Sequence, residues 1–208
     1  MIKAIFFDCD GVLTTDARGS LTTSKNLCRE VSNLSLESVL EAYRHESSDL
    51  NLGKCTLEES WQKLCVSLSI EPNPELLMKV IGNAPKNAAM FELVRILKPR
   101  YALGIFTDNS RERMNVLMEE MNLRPYFDPI IVSAAIGASK QQGTTAIYDA
   151  ALAQAGVKAD ESVFIENQEK NLVIPAQMGM HTYFHDDTKN DIAALRQHLI
   201  QLGVDIGG

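Results

Sequence analysis

The chain has 208 residues, 45% of them hydrophobic, and carries 27 acidic against 20 basic side chains for a formal charge of −7. That length fits one core domain with a smaller insert or two small domains, and it can bury a sizeable core. An acidic chain without a basic block excludes nucleic acid and an anionic membrane surface as expected partners.

No apolar stretch approaches the length of a transmembrane helix. The N-terminal run is too short for a signal peptide and has no small-residue cleavage site. Cys9, Cys28, Cys55 and Cys65 show neither CxxC spacing nor scaffold density, so a reduced, cytoplasmic protein is expected.

In chain order, IKAIFF (2–7) reads as a buried strand that runs into Asp8, Cys9, Asp10 and Gly11. Two aspartates so close to an apolar run are costly if buried without a partner, so a cation, a substrate or solvent is expected to face them. Cys9 between them points the other way if strand alternation continues, as a small core filler.

From about 17 to 85 the pattern is helical, without convincing strands. Leu36, Val39, Leu40 and Tyr43 recur on one helical face. Thr56 and Glu59 form a capping-box pattern ahead of the stripe Leu57, Trp61, Leu64 and Leu68. Pro74 after Asn73 suits a helical first turn.

Beyond that, helices alternate with the strands YALGIFT (101–107), PIIVS (129–133), SVFIE (162–166) and MHTYF (180–184). Helices are expected at NAAMFELVRILK, SRERMNVLMEEM, GTTAIYDAALAQAG, QEKNLVIPAQMG and DIAALRQHLIQLG. Such alternation predicts a mostly parallel sheet covered on both faces. The helical stretch at 17–85 then reads as an insert over one end.

Ligands of such sheets bind outside the carboxyl ends of the strands. The residues that follow the strands are Asp8, Asp10 and Gly11, then Thr107, Asp108, Asn109 and Ser110, then Ser139 and Lys140, then Glu166, Asn167 and Glu169. Carboxylates, a hydroxyl, a lysine and a helix N-terminus on one rim suit phosphate with a divalent metal. Singly, each has a bland reading as a loop acid, strand filler or cap; their joint order carries the argument.

These residues resemble the haloacid dehalogenase-like (HAD) superfamily. FFDCDGVLT matches its first motif, LGIFTDN its second at Thr107, and GASKQQGTTAIYDAAL its third at Lys140. The resemblance implies a Rossmann-like core at 1–16 and 86–208 with a helical cap at 17–85, hinged near Thr14–Asp16 and Asn83–Lys86.

It further implies Mg²⁺-dependent hydrolysis of a small phosphorylated metabolite, with Asp8 as nucleophile and Asp10 as general acid/base that lends its carbonyl to the metal. Thr107 would bind a phosphoryl oxygen and Lys140 would balance charge, with Gly11, Asp108 and Asn109 expected to bind the phosphate. Arg44, His45 and Lys54 are cap candidates for substrate contact, whereas Trp61 reads as cap core. The metal set would be Asp8, Asp10, Asn167 and Glu166.

FIENQEKN departs from the family's fourth motif, because neutral Asn167 stands where an acid usually binds the metal. Weaker metal binding follows unless Glu166 or Glu169 reaches in. Gln141 stands where the third motif commonly has proline. A 2-haloacid dehalogenase, a phosphomutase and a lapsed binding or regulatory module are the alternatives. Asp10 favours phosphate over halide. A monomer or homodimer is expected.

Overall fold

The computed structural model describes residues 1–44 and 47–207, and His45 lies outside the described residues. The strands are β1 (Ala4–Phe7), β2 (Ala102–Thr107), β3 (Ile130–Val132), β4 (Ser162–Glu166) and β5 (His181–Phe184). The helices up to the second strand are α1 (Gly19–Glu30), α2 (Leu36–Arg44), α3 (Ser47–Asn51), α4 (Leu57–Leu68), α5 (Pro74–Ile81) and α6 (Ala88–Leu97). Those that follow are α7 (Arg111–Glu120), α8 (Ser133–Ile136), α9 (Ala146–Ala155), α10 (Val173–Gln177) and α11 (Ile192–Gln201).

All five strands are parallel, in the order β3-β2-β1-β4-β5. The central strand is β1, paired with β2 on one side (Phe7 opposite Ile105) and β4 on the other (Phe7 opposite Ile165). The connections reverse direction at β1, which opens a crevice at the carboxyl ends of β1, β2 and β4.

Strand residues alternate between two buried layers. Ile5, Phe7, Leu103, Ile105, Val163 and Ile165 pack with α6, α7 and α11. Ala4, Phe6, Phe106 and Phe164 pack with Ile147, Tyr148 and Ala151 of α9 on the other face. Apolar residues at both phases explain why these strands read as unbroken hydrophobic runs. Cys9 falls in the first layer, away from the solvent, as alternation predicts.

Helices α1 to α5 build their own apolar cluster from Leu27, Val39, Leu57, Trp61, Leu64, Leu77 and Ile81. Trp61 is therefore packing, as its stripe indicates. The capping box at Thr56 is formed in both directions: Glu59 N–H donates to the Thr56 hydroxyl and Thr56 N–H to the Glu59 carboxylate. Thr56→Ala should cost about 1 kcal/mol in urea unfolding, the usual loss for an N-cap. A change under ~0.3 kcal/mol would show that this cap adds nothing to α4.

The chain enters and leaves this helical layer side by side. Thr14 and Lys86 form an antiparallel bridge. Thr15 N–H donates to the Pro85 carbonyl at 2.8 Å, and Asn87 N–H to that of Leu13 at 2.9 Å.

Some local structure differs from the sequence expectation. The stretch 129–133 gives only three strand residues, and Ser133 already opens α8. The segment QEKNLVIPAQMG is a 3₁₀ turn at Glu169–Leu172 followed by the short α10, not one helix. Pro175 cannot donate a helical hydrogen bond, which shortens the run.

Candidate active site

The first loop sets the geometry. After β1 the backbone winds tightly through Cys9–Leu13, and Gly11 takes φ +78°, a conformation that side-chain-bearing residues avoid. A Cβ on Gly11 would also stand 2.0 Å from the Asn167 amide nitrogen, so glycine admits the Asn167 side chain to the loop. Asp8 caps the turn: its Oδ1 accepts from the Cys9 N–H at 2.8 Å.

Lys140 arrives from the loop after α8. Its ammonium, 4% exposed as a residue, bridges Asp8 Oδ2 at 2.8 Å and Glu166 Oε2 at 2.6 Å. Burial, followed by the Glu166 charge, pushes the Asp8 carboxyl well above the usual carboxylate range, while Lys140 pulls it back. For Lys140 burial acts downward, but Asp8, Glu166 and Asp108 together outweigh it and raise the ammonium. One cation between two buried acids leaves a net negative site that would welcome a further cation.

Glu166 is fully committed. Its Oε1 accepts from the Gln168 N–H at 2.9 Å, and its Oε2 accepts from Asn171 Nδ2 at 3.1 Å as well as from Lys140. The Asn171 carbonyl in turn accepts from the Tyr148 hydroxyl at 3.0 Å. So Glu166, expected among metal ligands, instead holds the lysine, because the ammonium lies within its hydrogen-bond reach.

Asp10 is occupied too. Arg113 of α7 forks onto it, Nη1 to Oδ2 and Nη2 to Oδ1, both at 2.8 Å, and Asn109 Nδ2 adds a bond to Oδ2 at 3.2 Å. Asn109 is itself fixed by the Ser133 hydroxyl, which accepts its N–H at 3.0 Å. Arg113 was not among the expected site residues. Its signal is spacing: it lies four residues before Leu117, so an arginine occupies the buried face of α7.

A cavity of about 320 Å³ opens over these groups, lined by Asp8, Asp10, Thr107, Asp108, Asn109 and Lys140 on the sheet side and reached by Tyr43 and Arg44 from α2. Thr107 is thus gathered where expected. Asp108 is gathered as well, but one of its oxygens supports the loop by accepting the Lys140 N–H at 2.9 Å. A carboxylate with that task is a poor phosphate ligand; burial pushes its pKa up, and its Oδ2 has no hydrogen-bond partner among the described residues.

Arg44 lines the cavity but is exposed and paired with Glu41 at 2.6 Å. Lys54 is not brought to the cavity; it faces Asp49 at 3.8 Å on the surface.

No three His, Cys, Asp or Glu side chains gather as a metal cluster among the described residues. A mixed oxygen set does fit Mg²⁺. Asn167 is 7% exposed, its Nδ2 donates to the Ala17 carbonyl at 3.0 Å, and its buried Oδ1 has no partner among the described residues. An orphaned amide oxygen in a negative site is a hard donor suited to that ion.

A parallel sheet whose carboxyl-end rim carries this lysine-bridged pair of acids, with a second aspartate beside it, defines the class: a Rossmann-like α/β protein with a charged site at its topological switch point. The chain matches the haloacid dehalogenase-like hydrolase family over residues 2–179 and belongs to it.

Similar solved structures include a HAD-like family hydrolase of Porphyromonas gingivalis, at 23% identity and TM-score 0.76, covering 96% of this chain and 98% of that one. A HAD family enzyme of Bacteroides thetaiotaomicron in complex with magnesium is 16% identical with TM-score 0.74, covering 94% and 98%. A 2-haloacid dehalogenase of Pseudomonas syringae is 16% identical with TM-score 0.66, covering 97% and 99%. At these identities the likeness is one of fold. No helix among the described residues is long and apolar enough to cross a membrane.

Proposed function

We propose that this HAD-family hydrolase is a Mg²⁺-dependent phosphohydrolase of a small phosphorylated metabolite, acting through a phospho-Asp8 intermediate. The observation that carries the reading is the buried, unpartnered Asn167 Oδ1 beside the first loop. It calls for a cation, which hydrolysis of a phosphate uses and metal-free displacement of halide does not.

Asp8, the Asp10 carbonyl and Asn167 would hold the ion, which when bound would offset charge between nucleophile and phosphoryl group. Asp8 attacks phosphorus through a carboxylate oxygen as the bond to the leaving group breaks, and the leaving oxygen takes the bonding electron pair and a proton from the Asp10 carboxyl, which thereby becomes the base of the second step. Lys140, fixed by Glu166, remains beside the nucleophile as the charge shifts onto the phosphoryl oxygens, and Thr107 hydrogen-bonds one of them. In the second step water attacks phosphorus, the Asp10 carboxylate accepts its proton and Asp8 departs as a carboxylate. The helices of 17–85 would act as a cap that excludes water and limits the substrate to a small molecule.

The test is phosphate release from a panel of phosphorylated metabolites with Mg²⁺ and with EDTA, run beside Asp8→Asn. Release that needs both Mg²⁺ and Asp8 is expected. Halide release from 2-haloacids, with no phosphate release, would overturn the reading.

Because Asn167 brings no charge, Asn167→Asp should lower the Mg²⁺ dissociation constant by roughly 10-fold or more, the gain of replacing a neutral donor with a carboxylate. Titration calorimetry would read it, and an unchanged constant would remove Asn167 from the ligand set.

A further inference from the structure

The cavity over the acids has two unlike walls. The sheet side supplies charge and hydrogen bonds. The helical layer supplies apolar surface from three separate helices: Leu40 and Tyr43 of α2, Leu50 of α3 and Leu57 at the start of α4. Leu50 and Leu57 are 5% and 6% exposed and belong to the apolar cluster of that layer, and Tyr43 packs against it. Leu40 differs. It is half-buried and lines the cavity, yet among the described residues it packs with none of the three apolar clusters of the molecule. Its hydrophobic neighbour has to come from within the cavity, and covering it there is favourable.

The helical layer adds few polar groups. Arg18 and Arg44 are exposed, and Arg44 is paired with Glu41 at 2.6 Å, so both stand at the mouth. Ser20 and Asn51 are the neutral polar side chains of that layer on the cavity, among the described residues. Behind the wall, Tyr43 and Leu57 also bound a small void of about 10 Å³ against Trp61, Leu64 and Leu77. The apolar surface is therefore continuous with the interior of the layer.

A phosphoryl group at Asp8 occupies the sheet side and leaves the rest of the cavity's roughly 320 Å³ to the organic part of the substrate. Resting on the phosphohydrolase reading, we infer that the substrate is a phosphate ester of a predominantly apolar alcohol, aliphatic or aromatic. Its hydrocarbon lies on Leu40, Tyr43, Leu50 and Leu57. A sugar phosphate of the same length would press hydroxyls against leucine, where they lose water and gain no partner. Leu40 is the specificity-determining residue of this wall, because it has no part in the core beneath.

The experiment is kcat/KM for phosphate release by the full-length Mg²⁺-loaded protein from primary phosphate esters of matched length. These are propyl phosphate, glycerol 1-phosphate and 3-phosphooxypropanoate. Ethyl and butyl phosphate extend the apolar series, and acetyl phosphate is a small activated control. The alcohols that leave are of similar basicity, so the differences report the organic group.

Each methylene laid on an apolar wall is worth roughly 4-fold. Butyl phosphate should therefore exceed ethyl phosphate by at least ~10-fold, and propyl phosphate should exceed glycerol 1-phosphate by a similar factor. Leu40→Ser should cut both ratios by ~3-fold or more, whereas Leu40→Met should keep them.

A flat alkyl series, or glycerol 1-phosphate turned over as fast as propyl phosphate, would overturn the proposal and leave the phosphohydrolase reading standing. A preference for the propanoate would replace it with an anionic group held by Arg18 and Arg44. Leu40→Ser rates that fall by one factor for every ester would also sink it, since they mark a merely structural role. No release from any member, acetyl phosphate included, would overturn both readings.

Discussion

Asp8→Asn should abolish phosphate release, by at least ~10⁴-fold, and at the same time make the protein harder to unfold. In the proposed reaction this removes the nucleophile, because an amide oxygen cannot form the phosphoaspartate. The stabilisation follows from burial. Asp8 is 4% exposed and its carboxyl is raised, first by that burial and second by Glu166, so its charge opposes folding. A neutral isostere removes the opposition while Lys140 keeps Glu166 as its partner.

Removing one active-site charge of this kind commonly adds about 1 kcal/mol, and the melting temperature of a chain of this size then rises by roughly 2–4 °C. The sign of the pH dependence is fixed by the raised carboxyl. Below the unfolded value of about 3.9 both states carry the proton and the variant gains nothing. Between that value and the raised folded value the unfolded chain releases the proton while the native wild type still holds it, so the gap opens across this window and is complete above the folded value. Calorimetry in EDTA between pH 4 and 8 reads this. A variant that melts below the wild type at pH 8 would mean that the Lys140 contact outweighs the burial cost.

Lys140→Met should have the opposite effect on stability. It removes the one ammonium that bridges two buried carboxylates, at 2.8 Å to Asp8 and 2.6 Å to Glu166, and leaves both acids without their cation. Breaking a buried ion pair from one side costs about 3–5 kcal/mol, most of it the penalty of the charge left behind. Turnover should be lost with it. Adding Glu166→Gln in the same chain should restore part of the stability but none of the turnover, because only the stranded charge is repaired. Urea unfolding of the two variants decides the matter: a Lys140→Met loss below ~1 kcal/mol would show that the bridge is not what holds this rim together.

Much of this site could be read directly from the residues. The unbroken apolar runs before Asp8 and at 162–166 require a strand buried on both faces, and the acids that follow them must then sit at the carboxyl end of a parallel sheet. Local signals were equally legible. Thr56 with Glu59, and Asn73 ahead of Pro74, mark helix starts because each satisfies backbone N–H groups within three residues of itself, whatever the rest of the chain does.

The assignment of partners was not legible in that way. Glu166 lies 26 positions from Lys140, and Arg113 lies 103 from Asp10. Composition and spacing say that acids and cations share a rim, but not which pairs close. Glu166 as a metal ligand and Glu166 as the anchor of Lys140 are equally compatible with FIENQEKN. Only the register of β4 beside β1, with Phe7 opposite Ile165, brings its carboxylate against the ammonium.

Lys54 makes the same point in reverse. A cation in the helical insert is a reasonable substrate contact by charge, yet the turn after α3 leaves it at the surface opposite Asp49. The amino-acid sequence by itself determined the parallel sheet, the run of helices between the first two strands and the acids at the strand ends, because these follow from short-range periodicity and hydrogen bonding. Tertiary structure alone decided that Arg113 grips Asp10, that Glu166 serves Lys140 and that Asn167 keeps a free oxygen. Ion pairs form over less than 4 Å, and only the packed sheet and helices bring residues so distant in sequence within that range.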